Sequence, residues 1–268
     1  MGRFHHHSGG TPGGTTHSHE HDDDGHTHDS PTHDAVREVG DHGGYETGSE
    51  RVMILEQILS ENDRIADTNR AELSAHGVRT VNLMSSPGAG KTTLLAKTIP
   101  ALADELRIGI VEGDIATSLD ADQLSGLGAQ VSLVNTDAGF GGECHLDAVM
   151  VRSGLARLDL DEIDLLIVEN VGNLVCPAEF DVGQDVRAMV YAITEGEEKP
   201  LKYPVMFHAV DVIVVNKLDL LPHLKFDMAV FRDNLQGVNP DARVFELSAE
   251  TGDGLEAWVD WLRTLLVV

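Results

Sequence analysis

The sequence predicts an α/β protein in which helices cover both faces of a mostly parallel central sheet. Short runs of β-branched and other apolar residues alternate with helical patterns along most of the chain, and such alternation requires crossover connections between parallel strands. Of the 268 residues, 41% are apolar, which is typical of a globular protein with a substantial core. A glycine-rich stretch, SSPGAGKTT, lies between the first strand-like run and the helix after it.

The predicted elements begin with one long amphipathic helix over residues 51–76, which ends before Gly77. Seven strand-like runs follow it, at residues 79–84, 107–113, 129–135, 163–170, 186–194, 210–217 and 242–249. Helical patterns begin at Lys91, near Asp122, at Leu146, near Phe226 and at Leu255. Because ligands bind at the carboxyl ends of strands in such sheets, the residues after each run are candidate site residues.

Residues 1–50 are predicted to form a disordered, histidine-rich tail. They hold ten of the fourteen histidines among glycine, serine, threonine and aspartate, and that composition cannot form a core. Several imidazoles on a flexible chain bind Ni²⁺, Zn²⁺ or Cu²⁺ without a fixed geometry. The tail is therefore expected to buffer or store metal. Its candidate ligands are His5, His6, His7, His17, His19, His21, His26, His28 and His33.

Charge and hydropathy exclude several classes of partner. The formal net charge is −26, which argues against nucleic acid, since such binding normally needs a basic face. No apolar run reaches the roughly 18 residues that span a bilayer, and the start of the chain does not resemble a signal peptide. A cytoplasmic protein without membrane insertion is expected. Its two cysteines are too few for a disulfide scaffold.

The stretch SSPGAGKTT, residues 85–93, predicts a phosphate-binding loop and hence a P-loop NTPase fold. Its glycines let backbone N–H groups surround phosphate oxygens, and the following helix adds its positive dipole end. The candidate nucleotide contacts are Gly88, Ala89, Gly90, Lys91, Thr92 and Thr93. Lys91 would reach the β and γ phosphates, and the Thr92 hydroxyl would complete a Mg²⁺ shell. The alternative is a simple glycine-rich turn before a helix.

Ser85 departs from the usual pattern G-x-x-x-x-G-K-[ST] at its first glycine. That glycine mainly tolerates unusual dihedral angles at the exit of the strand. A small residue is expected to serve there, with less conformational freedom but without loss of binding.

The segments NKLD and SA predict that the base is guanine. A carboxylate at Asp219, after Asn216 and Lys217, would accept two N–H groups from guanine, whereas adenine offers an acceptor at N1. Ser248 and Ala249 suit a loop whose backbone N–H contacts the guanine carbonyl. The expected substrate is therefore GTP, with GDP as product.

Two further acids follow predicted strands and are candidate Mg²⁺ ligands and catalytic groups beside Lys91. Asp114 ends VEGD, and Glu169 begins an E-x-x-G version of the usual D-x-x-G switch element. No glutamine occupies an obvious position for orienting water, so slow intrinsic hydrolysis is expected. The alternative for both acids is an exposed position at a strand end.

Cys144, His145 and Cys176 form a candidate site for a softer metal. All three fall in loops after predicted strands, and thiolate with imidazole favours Ni²⁺ or Zn²⁺ over Mg²⁺. Three ligands are one short of a tetrahedral site, so water or a second copy of the chain would supply the fourth. The alternative is that both cysteines are small buried residues and that the histidine caps a helix.

Five stretches in this order resemble the HypB family of hydrogenase nickel-incorporation GTPases, of the SIMIBI class of P-loop proteins. The stretches are SSPGAGKTTLL, GGECHLDA, ENVGNLVCPAEFDVG, ITEGEEKPLKYPVMF and NKLDLLP. The resemblance covers about residues 51–268, which would form a SIMIBI-type G domain. It implies a metallochaperone that forms a homodimer with GTP and delivers Ni²⁺ to the large subunit of [NiFe]-hydrogenase, together with a small zinc-containing HypA partner.

The resemblance also assigns roles to residues already singled out. It implies that Cys144, His145 and Cys176 form the metal site, and that Lys91 and Thr92 contact phosphate and Mg²⁺. The segment Asn216–Asp219 would bind guanine. Some family members carry a Cys-x-x-Cys-Gly-Cys element near the N-terminus that binds nickel tightly, and this chain lacks it; its histidine-rich tail implies storage or buffering instead.

Two other functions compete with this interpretation. A urease-type nickel GTPase shares the fold, but its metal motif is Cys-Pro-His, whereas here Cys144 directly precedes His145 and Cys176 precedes Pro177. A nickel storage protein with a vestigial G domain belongs to a different class and would not depend on Lys91.

Overall fold

The computed structural model describes residues 47–114, 124–136, 145–173 and 179–266, with only the backbone of residues 47–52, 54, 55 and 114. Residues Glu46–Val268 form one compact unit. Nearly all of the predicted tail, residues 1–50, lies outside the described residues, so its disorder and its nine candidate histidine ligands remain predictions.

A seven-stranded sheet forms the centre of the compact unit, as the sequence predicts. Its strands are β1 (Arg79–Ser85), β2 (Ile108–Asp114), β3 (Gln130–Asn135), β4 (Leu165–Glu169), β5 (Val186–Ala192), β6 (Val212–Asn216) and β7 (Arg243–Glu246). Their order is β3-β2-β4-β1-β5-β6-β7, and every neighbouring pair is parallel. Parallel neighbours need crossover connections, which place helices on both faces. The predicted fold class is confirmed.

The helices agree with the predicted pattern except around two prolines. They are α1 (Thr47–Ala75), α2 (Lys91–Leu102), α3 (Ala148–Leu155), α4 (Lys199–Lys202), α5 (Pro204–His208), α6 (Met228–Val238) and α7 (Leu255–Thr264). Helix α1 starts earlier than the predicted 51–76. The helix predicted near Asp122 falls on residues 115–123, outside the described residues. The sequence did not reveal α4 and α5, because each is one short turn with proline at its start.

The core lies in layers on both sides of the sheet. On one face, α2 and α7 pack over the strands, and the rings of Phe245, Trp258 and Trp261 meet at this contact. On the other face, α1 and α3 cover β2 and β4, while α5 and α6 cover β5 and β6. No helix within the described ranges combines the length and apolar character needed to cross a bilayer.

The parallel order brings polar strand ends to one edge of the sheet. At this edge β1 ends at Ser85, β2 at Asp114, β4 at Glu169 and β6 at Asn216. Strands β2 and β4 are adjacent, with Glu112 and Glu169 in register. The loops that leave these four strands therefore share one edge, which is where ligands bind in open parallel sheets.

Replacing Thr98 by valine is expected to lower the free energy of unfolding by about 1–3 kcal/mol. The Thr98 hydroxyl is fully buried, accepts the Trp258 indole N–H at 3.1 Å and donates to the Leu94 carbonyl oxygen at 2.8 Å. Valine fills the same space but leaves the indole N–H without an acceptor. Urea denaturation measures the change.

Thr68→Val is the matched control, because its hydroxyl makes the same kind of bond to the Arg64 carbonyl oxygen on an exposed helix face. It should change stability by less than about 0.5 kcal/mol. Equal losses in the two variants would contradict the role given to the Trp258 contact.

Candidate nucleotide and metal site

The predicted phosphate loop connects β1 to α2, the strand-to-helix context that its sequence pattern requires. Gly88 and Gly90 have positive φ angles of 71° and 101°. A β-carbon at Gly90 would also lie 2.5 Å from the Asn216 Nδ2 atom. Conformation and space therefore both require glycine at Gly90. The loop ends at the N-terminus of α2, where backbone N–H groups and the helix dipole favour an anion.

Ser85, at the position usually occupied by glycine, is fully buried at the end of β1. Its φ angle is not positive, since Lys217 alone among the described non-glycine residues has one, so the backbone needs no glycine here. The Ser85 hydroxyl donates to the Ser86 carbonyl oxygen at 2.6 Å and accepts from the Lys91 ammonium at 2.7 Å. Serine therefore supports the lysine side chain instead of disturbing the loop.

The predicted guanine-binding segment NKLD is hydrogen-bonded to the phosphate loop and to the predicted SA segment. Asn216 donates through Nδ2 to the Ala89 carbonyl oxygen and accepts at Oδ1 from the Ala249 amide, both at 2.9 Å. The Lys217 ammonium donates to the Gly88 carbonyl oxygen at 2.6 Å. Because Asn216 is 2% exposed, its two hydrogen bonds are buried. They fix the distance between the phosphate loop and the loop predicted to bind guanine.

Ser248 orients the predicted specificity residue, Asp219. The Ser248 hydroxyl donates to the Asp219 Oδ1 atom at 2.6 Å, and the Thr251 amide donates to the same hydroxyl oxygen at 3.2 Å. A carboxylate held in this way is an acceptor for adjacent N–H groups, which is the pattern on the edge of guanine.

The loops enclose a cleft of about 770 Å³ at the carboxyl edge of the sheet, a size typical of a small-molecule site. Ten predicted residues line it: Gly88, Gly90, Lys91, Thr92, Thr93, Glu169, Asn216, Lys217, Asp219 and Ala249. Two more predicted residues, Ala89 and Ser248, lie behind the lining and are buried. The structure thus brings the phosphate-loop and guanine candidates into one cavity.

Of the two predicted strand-end acids, Glu169 is fully described. It is 5% exposed, and its Oε1 atom accepts from the Thr92 hydroxyl at 2.9 Å. Asp114 ends β2 in register with Asn135, but its side chain lies outside the described part of the chain. Because Glu169 is buried, the alternative that it is an exposed acid at a strand end is wrong.

Sequence analysis missed Glu112, a further acid that lines the cleft. It is 3% exposed, lines the cavity and lies in register with Glu169 on the neighbouring strand. The signal was present, since alternate residues of a strand share a face. Glu112 therefore lies on the same face of β2 as Asp114, which was singled out.

The ITEGEEKP segment, which follows β5, is hydrogen-bonded to the phosphate loop. The Ser86 hydroxyl donates to the Glu195 carboxylate, which also pairs with the Lys199 ammonium at 3.4 Å. Burial, together with the carboxylates of Glu195 and Glu197, raises the pKa of Tyr191 above its usual value. The phenol therefore stays protonated and donates to the Gly196 carbonyl oxygen at 2.7 Å, which fixes the turn that carries Glu195.

Of the predicted soft-metal ligands, only His145 falls within the described residues. Cys144 and Cys176 lie outside them, and the described residues contain no cluster of three or more potential metal ligands. The His145 ring lies 4.1 Å from the Phe180 ring, centroid to centroid. This contact joins the loop that carries Cys144 to the segment that follows Cys176. The soft-metal site itself remains a prediction.

Two buried asparagines of α1 hold both of these segments. Asn62 accepts from the Ala148 amide at 2.9 Å and donates to the Asp181 carbonyl oxygen at 2.8 Å. Asn69 donates to the Ala148 and Val182 carbonyl oxygens at 2.9 and 3.2 Å. The spacing of seven residues puts both asparagines on one helix face. Sequence analysis missed this pair, because the spacing shows a shared helix face but not that these polar side chains are buried.

Comparison with known proteins agrees with this geometry. The family described as CobW/HypB/UreG, nucleotide-binding domain, matches residues 79–246. The chain is 47% identical over 213 residues to the hydrogenase maturation factor HypB of Azotobacter vinelandii, which covers 79% of this chain and 69% of that protein.

Two solved structures are similar over most of the chain. The crystal structure of HypB from Archaeoglobus fulgidus has a TM-score of 0.71 at 36% identity and covers 78% of this chain and 100% of that one. HypB from Helicobacter pylori in complex with nickel has a TM-score of 0.72 at 32% identity and covers 77% and 95%. The chain therefore belongs to the CobW/HypB/UreG family of nucleotide-binding proteins and, within it, to the HypB hydrogenase maturation factors.

Proposed function

We propose that this chain is a GTP-hydrolysing nickel metallochaperone of the cytoplasm that inserts nickel into the large subunit of [NiFe]-hydrogenase during maturation. The observation that carries the proposal is the cleft in which Asp219, oriented by Ser248, lies beside an intact phosphate loop. The part of the proposal that concerns nickel is supported by similarity to HypB from Helicobacter pylori, whose crystal structure is a complex with nickel.

GTP is the substrate of this cleft. Asp219 accepts the guanine N1–H and N2–H groups, and Lys91 neutralises charge on the β and γ phosphates. Water attacks the γ-phosphorus, the bond to the β-phosphate oxygen breaks, and GDP and phosphate leave. The described residues place no glutamine on the cleft, which agrees with slow intrinsic turnover.

The donors at the phosphate end of the cleft fit Mg²⁺. Thr92 and Glu169 line the cleft with oxygen donors, and the Glu169 carboxylate is buried against the Thr92 hydroxyl. Asp114, the third proposed ligand, also carries only oxygen donors. Hard oxygen ligands of this kind suit magnesium. These three residues would hold the ion, which supplies charge neutralisation on phosphate oxygens when bound.

Nickel is the cargo, held by Cys144, His145 and Cys176 of a homodimer, with Zn²⁺ as a competing occupant of the same ligands. A second copy of the chain is the proposed source of the remaining ligand or of the enclosing surface. The segments after β5 and β6 leave large apolar side chains exposed at Leu201, Tyr203, Val205 and Leu224. We propose that the homodimer buries some of these side chains, which removes apolar surface from water.

In this proposal GTP hydrolysis is a timer. GTP orders the loops and stabilises the homodimer, and hydrolysis releases nickel to the hydrogenase large subunit with the help of a small HypA-like accessory protein. The intact contacts between Asn216, Ala89 and Ala249 favour an active G domain over a vestigial one in a storage protein. A storage function would place no demand on these buried hydrogen bonds.

Exchange of GDP for a non-hydrolysable GTP analogue is expected to raise the homodimer fraction and to change nickel affinity at least about fivefold, a typical coupling between two sites. Analytical ultracentrifugation and nickel competition against a chelator measure the two quantities. Lys91→Ala should abolish both responses. Its matched control is Lys97→Ala on the exposed side of the same helix, which should keep them.

The Cys144→Ala/Cys176→Ala double variant separates the metal half of the proposal from the nucleotide half. It should bind the GTP analogue normally and lose the nucleotide-dependent part of nickel binding. Identical dimer fractions and nickel affinities with GDP and analogue in the unmodified chain would contradict the proposed function.

Asp219→Asn is expected to weaken GTP binding about 10- to 100-fold, the cost of losing one or two hydrogen bonds to a charged acceptor. The same change should improve binding of xanthosine triphosphate, whose C2 carbonyl accepts from the asparagine amide while N1–H still donates to its oxygen. Fluorescent-nucleotide titration measures both affinities. Asp233→Asn, on the exposed side of α6, is the control and should change neither. Retained GTP preference in Asp219→Asn would refute the assignment of guanine recognition to this residue.

A further inference from the structure

The end of β4 places two consecutive residues against two different parts of the site. Glu169 faces α2 and accepts from the Thr92 hydroxyl. Asn170 also lines the cleft, and its side chain lies on the opposite face of the sheet, where its Oδ1 atom accepts from the Leu146 amide at 2.9 Å. Successive residues of an extended strand point to opposite faces. One peptide unit therefore joins the phosphate end of the cleft to the residue that follows His145.

Asn170 is held firmly in this position. It is 1% exposed, its backbone N–H donates to the Leu83 carbonyl oxygen at 3.0 Å, and its Nδ2 atom donates to the Asn82 Oδ1 atom at 3.3 Å. The Oδ1 atom also accepts from the Val171 amide at 3.0 Å. A buried carboxamide with these partners has one orientation, so its oxygen stays directed at Leu146.

Leu146 is the point at which the loop after His145 is attached to the core. Its side chain is fully buried and packs so closely on β2 that a β-carbon at Gly113 would lie 2.7 Å from the Leu146 Cγ atom. The Asn170 carboxamide is the described partner of its amide. A shift of Asn170 therefore moves or releases the backbone next to His145.

The residues after Asn170 reach the phosphate loop. A β-carbon at Gly172 would lie 3.0 Å from the Pro87 Cα atom, and Asn173 forms an isolated antiparallel bridge with Ser85. Contacts with the phosphate loop thus exist on both sides of Asn170 in the chain. A rearrangement around the γ-phosphate therefore acts on this short segment from both ends.

We propose that Asn170 is the positioning residue that transmits the nucleotide state of the cleft to the metal-binding loop, through the hydrogen bond from its carboxamide oxygen to the Leu146 amide. The inference rests on the proposed function and adds the means of its regulation. Since coupling between two sites is reciprocal, the same contact carries the effect of bound nickel back to nucleotide affinity.

Asn170→Ala in the full-length chain tests this inference. In the variant, the nickel affinities measured with GDP and with a non-hydrolysable GTP analogue should agree within about twofold. In the unmodified chain, the ratio of these two nickel affinities, called the nickel ratio, should be at least about fivefold. The readout is the near-ultraviolet thiolate-to-nickel charge-transfer band. Cys144 and Cys176 are the only cysteines in the chain, so histidines of residues 1–50 do not contribute to this band. Because Asn170 lines the cleft, the affinities for GDP and for the analogue are measured without nickel, and the nickel affinities are compared with each nucleotide at saturation.

Asn239→Ala is the matched control. Asn239 is another buried asparagine, and it donates to the Phe207 and Val210 carbonyl oxygens away from the cleft. Its loss should reduce stability without changing the nickel ratio. If Asn170→Ala fails to fold, Asn82→Ala replaces it, since that change removes the anchor of the Asn170 carboxamide and should also lower the ratio.

The outcomes separate this inference from the proposed function. A ratio near one in the unmodified chain would overturn the proposed function. A normal ratio in the unmodified chain that persists in Asn170→Ala, or in Asn82→Ala where that variant replaces it, would overturn the role of Asn170 alone. Loss of the ratio in Asn239→Ala as well would show that reduced stability, not the Leu146 contact, is responsible, and would also overturn it.

Discussion

The peptide unit between Glu169 and Asn170 is the constraint on which the rest of the site depends. It ends a strand that is buried throughout, so neither residue can move far without its neighbour. The Glu169 carboxylate meets Thr92 at the start of α2, and the Asn170 carboxamide meets the backbone of Leu146. A parallel sheet favours this arrangement, because the loops that follow several strands meet at its carboxyl edge. Successive residues of each strand also point to opposite faces of the sheet.

Buried asparagines form several further connections of the site. Asn216 links the phosphate loop to the loop proposed to bind guanine, and Asn62 and Asn69 of α1 hold both segments next to the predicted metal ligands. Each carboxamide both donates and accepts, and each bridges backbone groups that belong to different elements. A buried amide left without its partners costs about 1–3 kcal/mol. These bridges therefore define the relative positions of loops that have little regular structure of their own.

The sequence predicted the sheet and most of the cleft because these features rest on local signals. Seven apolar runs coincide with the seven strands, and Gly90 and Asp219 were singled out by short motifs that follow predicted strands. Features that depend on tertiary contacts were missed. Glu112 was taken as part of an apolar run, and Asn170 as the last residue of one, because a pattern of apolar residues does not reveal which polar side chain finds a buried partner. The short helices α4 and α5 were missed because one turn leaves no periodicity.

Amide hydrogen exchange at Leu146 tests most directly whether the nucleotide cleft and the loop proposed to bind metal share one structural element. Its N–H is hydrogen-bonded to Asn170 in the buried interior. With nickel absent, replacement of GDP by a non-hydrolysable GTP analogue should change the exchange rate of this amide at least about fivefold, as expected for a coupling between sites. The Trp261 amide, within α7 on the opposite face of the sheet, should be unaffected. The same Leu146 exchange rate in both nucleotide states would contradict the account.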